Sequence, residues 1–397
     1  MIPCDRRYAL VHEWLTPLAT GGSELVVREM VTQLDRWLPE PVALHALIDF
    51  ESSNSESYLY GRAIGHTFLQ RFPGAIRGVQ RYLPLWPLAI EQLDLRAYDI
   101  ILSSSHAVAK GALVAAHQLH VCYCHAPMRY AWDLTHDYLA GNRSGRGPIG
   151  WLTRYLLHRL RLWDVLAANR VDFFAANSRT TANRIWRCYR RRAEVIYPPV
   201  QVDRFPLQTT KDDYYLCVTR LVPYKRVDLI VEAFNQLGLP LMVIGGGPML
   251  ESLREQAQAN VQLLGEQPDA VVAQAMAQAR AFVYAAFEDF GIAPVEAQAC
   301  GTPVIAFAQG GTGETVRDCR QDPKTGTGLL FEQQTSEAIA AAVTVFEDYR
   351  SRLSAEAIHR HAQSFSPDVF RDRYFGFVNW CWQEFQRDRQ TPTEFFR

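Results

Sequence analysis

What the chain has little of narrows it first. Cysteine is sparse, eight in 397 residues, and only Cys122 and Cys124 stand close together. Neither a zinc knuckle nor a disulfide framework is therefore expected, and reduced thiols in the cytoplasm fit best. A surplus of either charge is also missing. With 41 basic and 42 acidic residues the formal net charge is −1, so the chain as a whole has no pull toward nucleic acid, which is not expected as a partner. No apolar run approaches the ~20 residues that cross a bilayer. The N-terminal stretch MIPCDRRYALVHEWL puts charge ahead of a short apolar run, with no small-residue cleavage site, and does not read as a signal peptide. Solenoid repeats and low-complexity tracts are absent too. These absences leave a cytoplasmic protein, soluble or peripheral at the inner face of the membrane.

What is present has ordinary globular proportions, 48% hydrophobic and 21% charged, enough to build a core. Single cores stop growing at about 250–300 residues, so this length predicts two domains. Tyr8–Leu15 reads as a strand, TPLATGGSE as a turn and LVVREMVTQL as a helix. Further strands are expected at IILSSS (100–105), VCYCHA (121–126) and DFFAANS (172–178). Prolines 198, 199 and 206 then mark a stiff connection, after which the cycle restarts with YYLCVTR, RVDLIVEAFNQL, LPLMVIGGGP, MLESLREQA, NVQLLGE, AVVAQAMAQA, ARAFVYAA and PVEAQACG. TGLLFE, SEAIAAAVTVFEDY and an aromatic-rich helix pattern close the chain. Strands followed by helices predict two α/β domains, each with a doubly wound parallel sheet.

Residues 287–302 read FEDFGIAPVEAQACGT. Pro294 suits the first turn of a helix and Gly301 its end, placing Glu288 in the preceding loop and Glu296 in the first turn. Two carboxylates suggest a glycosidase pair. A helix N-terminus with Phe290, Gly291 and Ile292 instead offers backbone N–H groups to an anion. In that setting Glu288 suits a sugar hydroxyl and Glu296 a ribose, with a phosphate between them. The plainer alternative leaves Glu296 complementing the helix dipole and Glu288 in solvent. Arg220 and Lys225, at and just beyond the end of YYLCVTR, occupy the carboxyl edge where α/β sheets bind ligands and suit a diphosphate. The glycines of IGGGP (244–248) read either as a ligand loop or as a buried tight turn. In the first half, Gly22 in GGSE permits close approach of a ligand before a helix. His125, directly after an apolar strand, emerges at the same edge or serves a structural role.

The set FEDFGIAPVEAQACGTPVIA, TRLVPYKRVDLIVEAF, GGGP, GGTGETV and GGSE resembles the retaining, nucleotide-sugar-dependent glycosyltransferases of the GT-B fold, family four, across nearly the whole chain and in the family's order. The resemblance implies two Rossmann-like domains facing across a cleft. The first, residues 1–198, lies on the acceptor side; the second, 199–372, binds the nucleotide sugar; a C-terminal helix, 373–397, packs back on the first. It further implies that Glu288 contacts the donor sugar and Glu296 the ribose, and that Phe290, Gly291 and Ile292 offer backbone groups to sugar and phosphate. Arg220 and Lys225 would hold the diphosphate, with Gly22 under the donor phosphates and His125 toward the transferred sugar. No metal and no cofactor are expected, the nucleotide sugar being a substrate and no Asp-x-Asp standing beside a strand end. CHAPMRYAWD resembles the subset that transfers mannose or related sugars from GDP-linked donors to glycan or lipid-linked acceptors. RVDL departs from the family, many members of which have Gly directly after the lysine. A GT-B epimerase or hydrolase, or a non-catalytic nucleotide-sugar-binding protein, are the alternatives.

From Arg143 to Arg192 there are twelve arginines, no lysine and two acids, Asp164 and Asp172, a surplus of ten positive charges. Trp151, Leu152, Tyr155, Leu156, Leu160, Trp163 and Leu166 recur among them at near-helical spacing. Either this stripe packs inward and the arginines are solvated, or the segment touches an anionic membrane surface, with nucleic acid the competing partner for an arginine-rich face.

Overall fold

The computed structural model describes residues 2–18, 21–140 and 147–390. Ala19 and Thr20 of the glycine loop, Arg143 and Arg146 of the arginine-rich stretch, and residues 391–397 of the expected last helix lie outside the described residues. The chain forms two compact units, one made of residues up to Tyr197 together with those from Phe370 on, the other of Pro198–Val369. The boundaries expected after residues 198 and 372 thus fall after 197 and 369.

Among the described residues, unit 1 has seven strands: β1 (Tyr8–Leu15), β2 (Ala43–Asp49), β3 (Ile64–His66), β4 (Ile100–Ser105), β5 (Leu119–Cys124), β6 (Phe173–Ala176) and β7 (Ala193–Val195). They pair in parallel in the order β3-β2-β1-β4-β5-β6-β7. The central strands are apolar on both faces because both are covered. On one face Leu10, Leu102 and Val121 meet Val26 and Met30 of the helix Gly22–Trp37, and Phe370, Tyr374 and Val378 of the helix Pro367–Gln390. On the other, Val11 and Ile101 meet Trp86, Leu157 and Leu160. Each fully buried large side chain stabilises by roughly 1.5–3 kcal/mol, so the aromatic face of the last helix is a substantial part of this core. Strand order reverses between β1 and β4, and their carboxyl ends border the place where open α/β sheets take ligands.

Unit 2 repeats the plan with β8 (Tyr215–Val218), β9 (Leu241–Ile244), β10 (Val261–Gly265), β11 (Ala281–Tyr284), β12 (Val304–Phe307) and β13 (Gly328–Phe331), parallel in the order β10-β9-β8-β11-β12-β13. Its switch point lies between β8 and β11. Phe234, Val343 and Phe346 of the flanking helices fill one side of the sheet with Tyr215 and Val283.

The structure corrects three expectations. β2, β3, β7 and β12 lie where the periodicity offered no strand; β12 is four residues long and follows the Gly301 turn at once, so it merges with the preceding helix pattern. The helix expected at 294–300 runs Ile292–Ala299. Gly291, at φ 84, turns the chain two residues earlier, and Pro294 remains within the first turn, where its missing N–H costs nothing. Glu296 thereby moves to the second turn. Third, the arginine-rich segment has two apolar faces. In the helix Gly147–Ala168, Leu157, Leu160, Asp164 and Ala167 are buried, whereas Trp151, Leu152, Tyr155, Leu156, Leu162 and Leu166 are exposed. Trp163 is half-buried, its Nε1 donating to Glu91 Oε1 at 2.8 Å. Asp164, the one acid of this helix, is spent inside on Lys110 Nζ at 2.5 Å. Among the described residues no helix is long and apolar enough to cross a membrane.

Candidate active site

In unit 2 the loop after β11 is shaped by its neighbour. A Cβ on Gly310 would stand 2.4 Å from Glu288 O, and one on Gly311 2.2 Å from Phe290 Cα, distances no side chain tolerates. The GGTG segment therefore lies backbone to backbone under residues 288–290, with Gly311 N–H donating to Glu288 O at 2.9 Å. Phe290 is buried against Phe365 at 5.8 Å, which anchors the loop before Gly291 and Ile292 open the helix.

On this frame Glu288 meets Lys225. The ammonium is nearly buried, donates to Tyr284 Oη at 2.9 Å, and forms an ion pair with Glu288 Oε1. Tyr284 Oη in turn donates to Glu288 Oε2. Burial first, and then the Glu288 carboxylate, raises the Tyr284 phenol well above its ordinary pKa, so it stays a neutral donor. An ammonium held in so dry a setting acts on an anion far more strongly than one in water. Arg220 lies exposed just beyond the end of β8.

Lys225 ends the turn Pro223–Lys225, and Arg226 after it is left-handed at φ 52. The loop thus keeps the conformation that glycine would adopt without cost, and Arg226 reaches Asp228 at 3.2 Å. Gly245, Gly246 and Gly247 form a structural turn. Cβ atoms on Gly245 and Gly247 would collide with the carbonyl oxygens of Thr219 and Leu221, so these glycines let β9 support the Arg220 loop. Glu296 lies in the second turn of the helix Ile292–Ala299. It is half-buried, and desolvation pushes its pKa up to about 7, opposed by Arg204 and aided by Asp269.

In unit 1, Gly22 opens the helix Gly22–Trp37 behind an extended Gly21. His125 follows β5 and sets Nε2 against Ser104 Oγ at 2.8 Å. Burial and the neighbouring His106 and His12 push its pKa down to about 3, so it is neutral. Beside it, on β1 and just after β4, lie His12, Glu13 and His106, which the sequence reading missed, as it missed Tyr284. Tyr284 ends β11 and His106 directly follows β4, and that position was the available signal; His12 and Glu13 lie inside β1, where position gives none.

A family model described as "Glycosyltransferase Family 4" matches residues 20–204, and one described as "Glycosyl transferases group 1" matches residues 200–362. The chain thus joins a family 4 glycosyltransferase domain to a group 1 glycosyltransferase domain. Among curated relatives, the D-inositol 3-phosphate glycosyltransferase of Mycobacterium tuberculosis is 28% identical over 224 residues, 50% of this chain and 46% of that protein. The chain thus spans about half the length of the curated relatives it matches. Among solved structures, Anabaena HepE in complex with UDP matches with TM-score 0.65 and 17% identity over 94% of this chain and 99% of that one. Sucrose-phosphate synthase from Thermosynechococcus elongatus matches with TM-score 0.70 and 16% identity over 96% and 100%. At such identities the structures establish the two-domain Rossmann-like fold.

Proposed function

We propose that this chain is a retaining hexosyltransferase that moves a sugar from a nucleoside diphosphate donor to a glycan or lipid-linked saccharide in polysaccharide or glycolipid synthesis. The observation that carries the reading is the Lys225–Tyr284–Glu288 triangle beside the β8/β11 switch point, where an ammonium in a nearly dry site meets a carboxylate fit for sugar hydroxyls. Lys225 and Arg220 neutralise the donor diphosphate, and backbone groups of Phe290, Gly291 and Ile292 add N–H donors. Glu296 takes the ribose hydroxyls, Gly22 lies beneath the donor phosphates, and His125, uncharged, hydrogen-bonds the transferred sugar. The bond from the anomeric carbon to the phosphate oxygen breaks and the bond to the acceptor oxygen forms on the same face. The acceptor's proton passes to the departing phosphate oxygen. No metal is required in this scheme. GDP-mannose is the favoured donor, from the segment CHAPMRYAWD; UDP sugars are the competing class, since HepE was solved with UDP and with UDP-glucose.

A membrane-linked acceptor fits the outward face of Gly147–Ala168, where exposed Trp151, Leu156, Leu162 and Leu166 stand among exposed Arg154 and Arg159 with no exposed acid on the helix. We read it as contact with the anionic inner face of the membrane. The donor reading is tested by calorimetric titration with GDP, UDP and ADP without metal, on the native chain and on Lys225→Ala and Glu296→Ala. Micromolar binding of one nucleotide, lost in both variants, is the expected result; equal binding by the variants refutes the placement.

A further inference from the structure

The carboxyl edge of unit 1 holds more chemistry than His125. Glu13 on β1 is fully buried, and its Oε1 collects four donors from one turn: Ser105 Oγ at 3.1 Å and the N–H groups of His106, Ala107 and Ala109 at 3.1, 2.8 and 3.1 Å. Its Oε2 lies 2.9 Å from His106 Nδ1, an ion pair whose angle falls short of a hydrogen bond. Burial opposes charge on both partners, yet each holds the other ionised: His106 is raised above its ordinary pKa and Glu13 is lowered. The His106 side chain keeps 27% of its surface exposed.

A buried carboxylate behind a partly exposed imidazolium fixes the ring and leaves the far nitrogen as a charged donor. The turn does not need the ring, because Glu13 Oε1 already satisfies it. Trp14 stands edge to face against His106 at 4.5 Å and forms an apolar wall beside it. His125 lies 6.4 Å away, centroid to centroid. Among the described residues no three His, Cys, Asp or Glu side chains form a group that could hold a metal ion, so the cluster is read as an organic-ligand site.

We propose that His106, fixed by Glu13, is an acceptor subsite that donates a hydrogen bond to a hydroxyl oxygen of the acceptor sugar. The inference rests on the glycosyl-transfer reading. If His125 faces the transferred sugar, the acceptor sugar must lie next to it, because a bond forms between the two. An imidazolium about one sugar ring from His125, beside an indole, is placed for that neighbour, and hydroxyl oxygens are its natural acceptors.

The test uses the full chain with His106→Gln and His106→Phe, both of which leave the four hydrogen bonds to Glu13 Oε1 in place. Nucleotide affinity and acceptor-independent donor hydrolysis are expected within about twofold of the native chain, while kcat/KM for a sugar acceptor falls about 30-fold or more, mainly through KM. A second readout, valid even if no donor is found, is the His106 imidazole resonance of the 15N-histidine-labelled chain titrated with methyl α-D-mannopyranoside and, separately, with inorganic phosphate. Displacement by the glycoside supports the subsite. Unchanged transfer, hydrolysis falling in step with transfer, or a resonance that answers to phosphate alone overturns it. Failure of the native chain to bind any nucleotide would instead strike the donor reading.

Discussion

Replacing Glu296 by glutamine should stabilise the free protein above neutral pH while weakening its hold on nucleotide. Desolvation raises this carboxyl from an ordinary 4.5 to about 7, so folding favours its protonated form. Below pH 4.5 the group is neutral in both folded and unfolded chains and costs nothing. As pH rises from 4.5 toward 7, the unfolded chain ionises freely and the folded one does not, and stability is lost; above 7 the loss is complete. A shift of about 2.5 units corresponds to at most about 3.4 kcal/mol, and relaxation around a half-buried group makes about 1–3 kcal/mol the expected size. Glutamine cannot ionise, so Glu296→Gln should match the native chain at pH 4.5 and exceed it by that amount at pH 8. Urea unfolding at the two pH values, followed by circular dichroism, measures the difference. If the ionised carboxylate takes the ribose hydroxyls, native nucleotide affinity should rise about tenfold from pH 6 to 8, in step with ionisation, and stay flat in the variant. A stability difference that does not change with pH would refute the reasoning, since nothing else about the substitution titrates in that range.

Tyr284→Phe removes the hydroxyl between Lys225 and Glu288 and leaves Glu288 Oε2 without its donor; about 1–3 kcal/mol of stability is expected to go, together with about 10- to 100-fold in kcat, while nucleotide Kd changes little. Steady-state kinetics beside calorimetry separates the two effects. Gly311→Ala forces a Cβ against Phe290 Cα at 2.2 Å, so the Glu288 loop must shift, and nucleotide-sugar affinity should fall by about tenfold or more, read by calorimetry against a chain whose melting temperature shows it still folded. Leu156→Glu with Leu162→Glu on the outward face of Gly147–Ala168 should cut sedimentation with vesicles of phosphatidylglycerol and phosphatidylcholine about tenfold and leave the fold intact; equal sedimentation removes that face from the membrane reading.

The fold was legible wherever a strand was long or stood between clear turns. β1 was read at its true limits, Tyr8–Leu15, because eight residues buried along almost their whole length leave no other choice. β12 was not legible: Val304–Phe307 is too short for a period, and Gly301 and Pro303 crowd it against the helix before it. The start of that helix was misjudged for a related reason. Pro294 marks a first turn but not which position in it, and the left-handed Gly291 that sets the start reads in sequence only as another loop glycine.

The site was legible where a residue type at a strand end carries its own meaning, as with Glu288 and Lys225, and illegible where meaning comes from pairing. Tyr284 reads as one more apolar residue of ARAFVYAA until its hydroxyl is found between an ammonium and a carboxylate. Glu13 sits with His12 in a strand apolar at most other positions, and its four donors come from residues 105–109, more than ninety positions away. Parallel pairing of β1 with β4 brings the two together, and no local pattern encodes it. Arg226 makes the converse point. A sequence lacking glycine after Lys225 predicts an altered loop, yet the chain holds arginine in the left-handed region, at a cost of about 1–2 kcal/mol. That strain persists only where the surroundings insist on the loop, and here the loop places the ammonium beside Glu288.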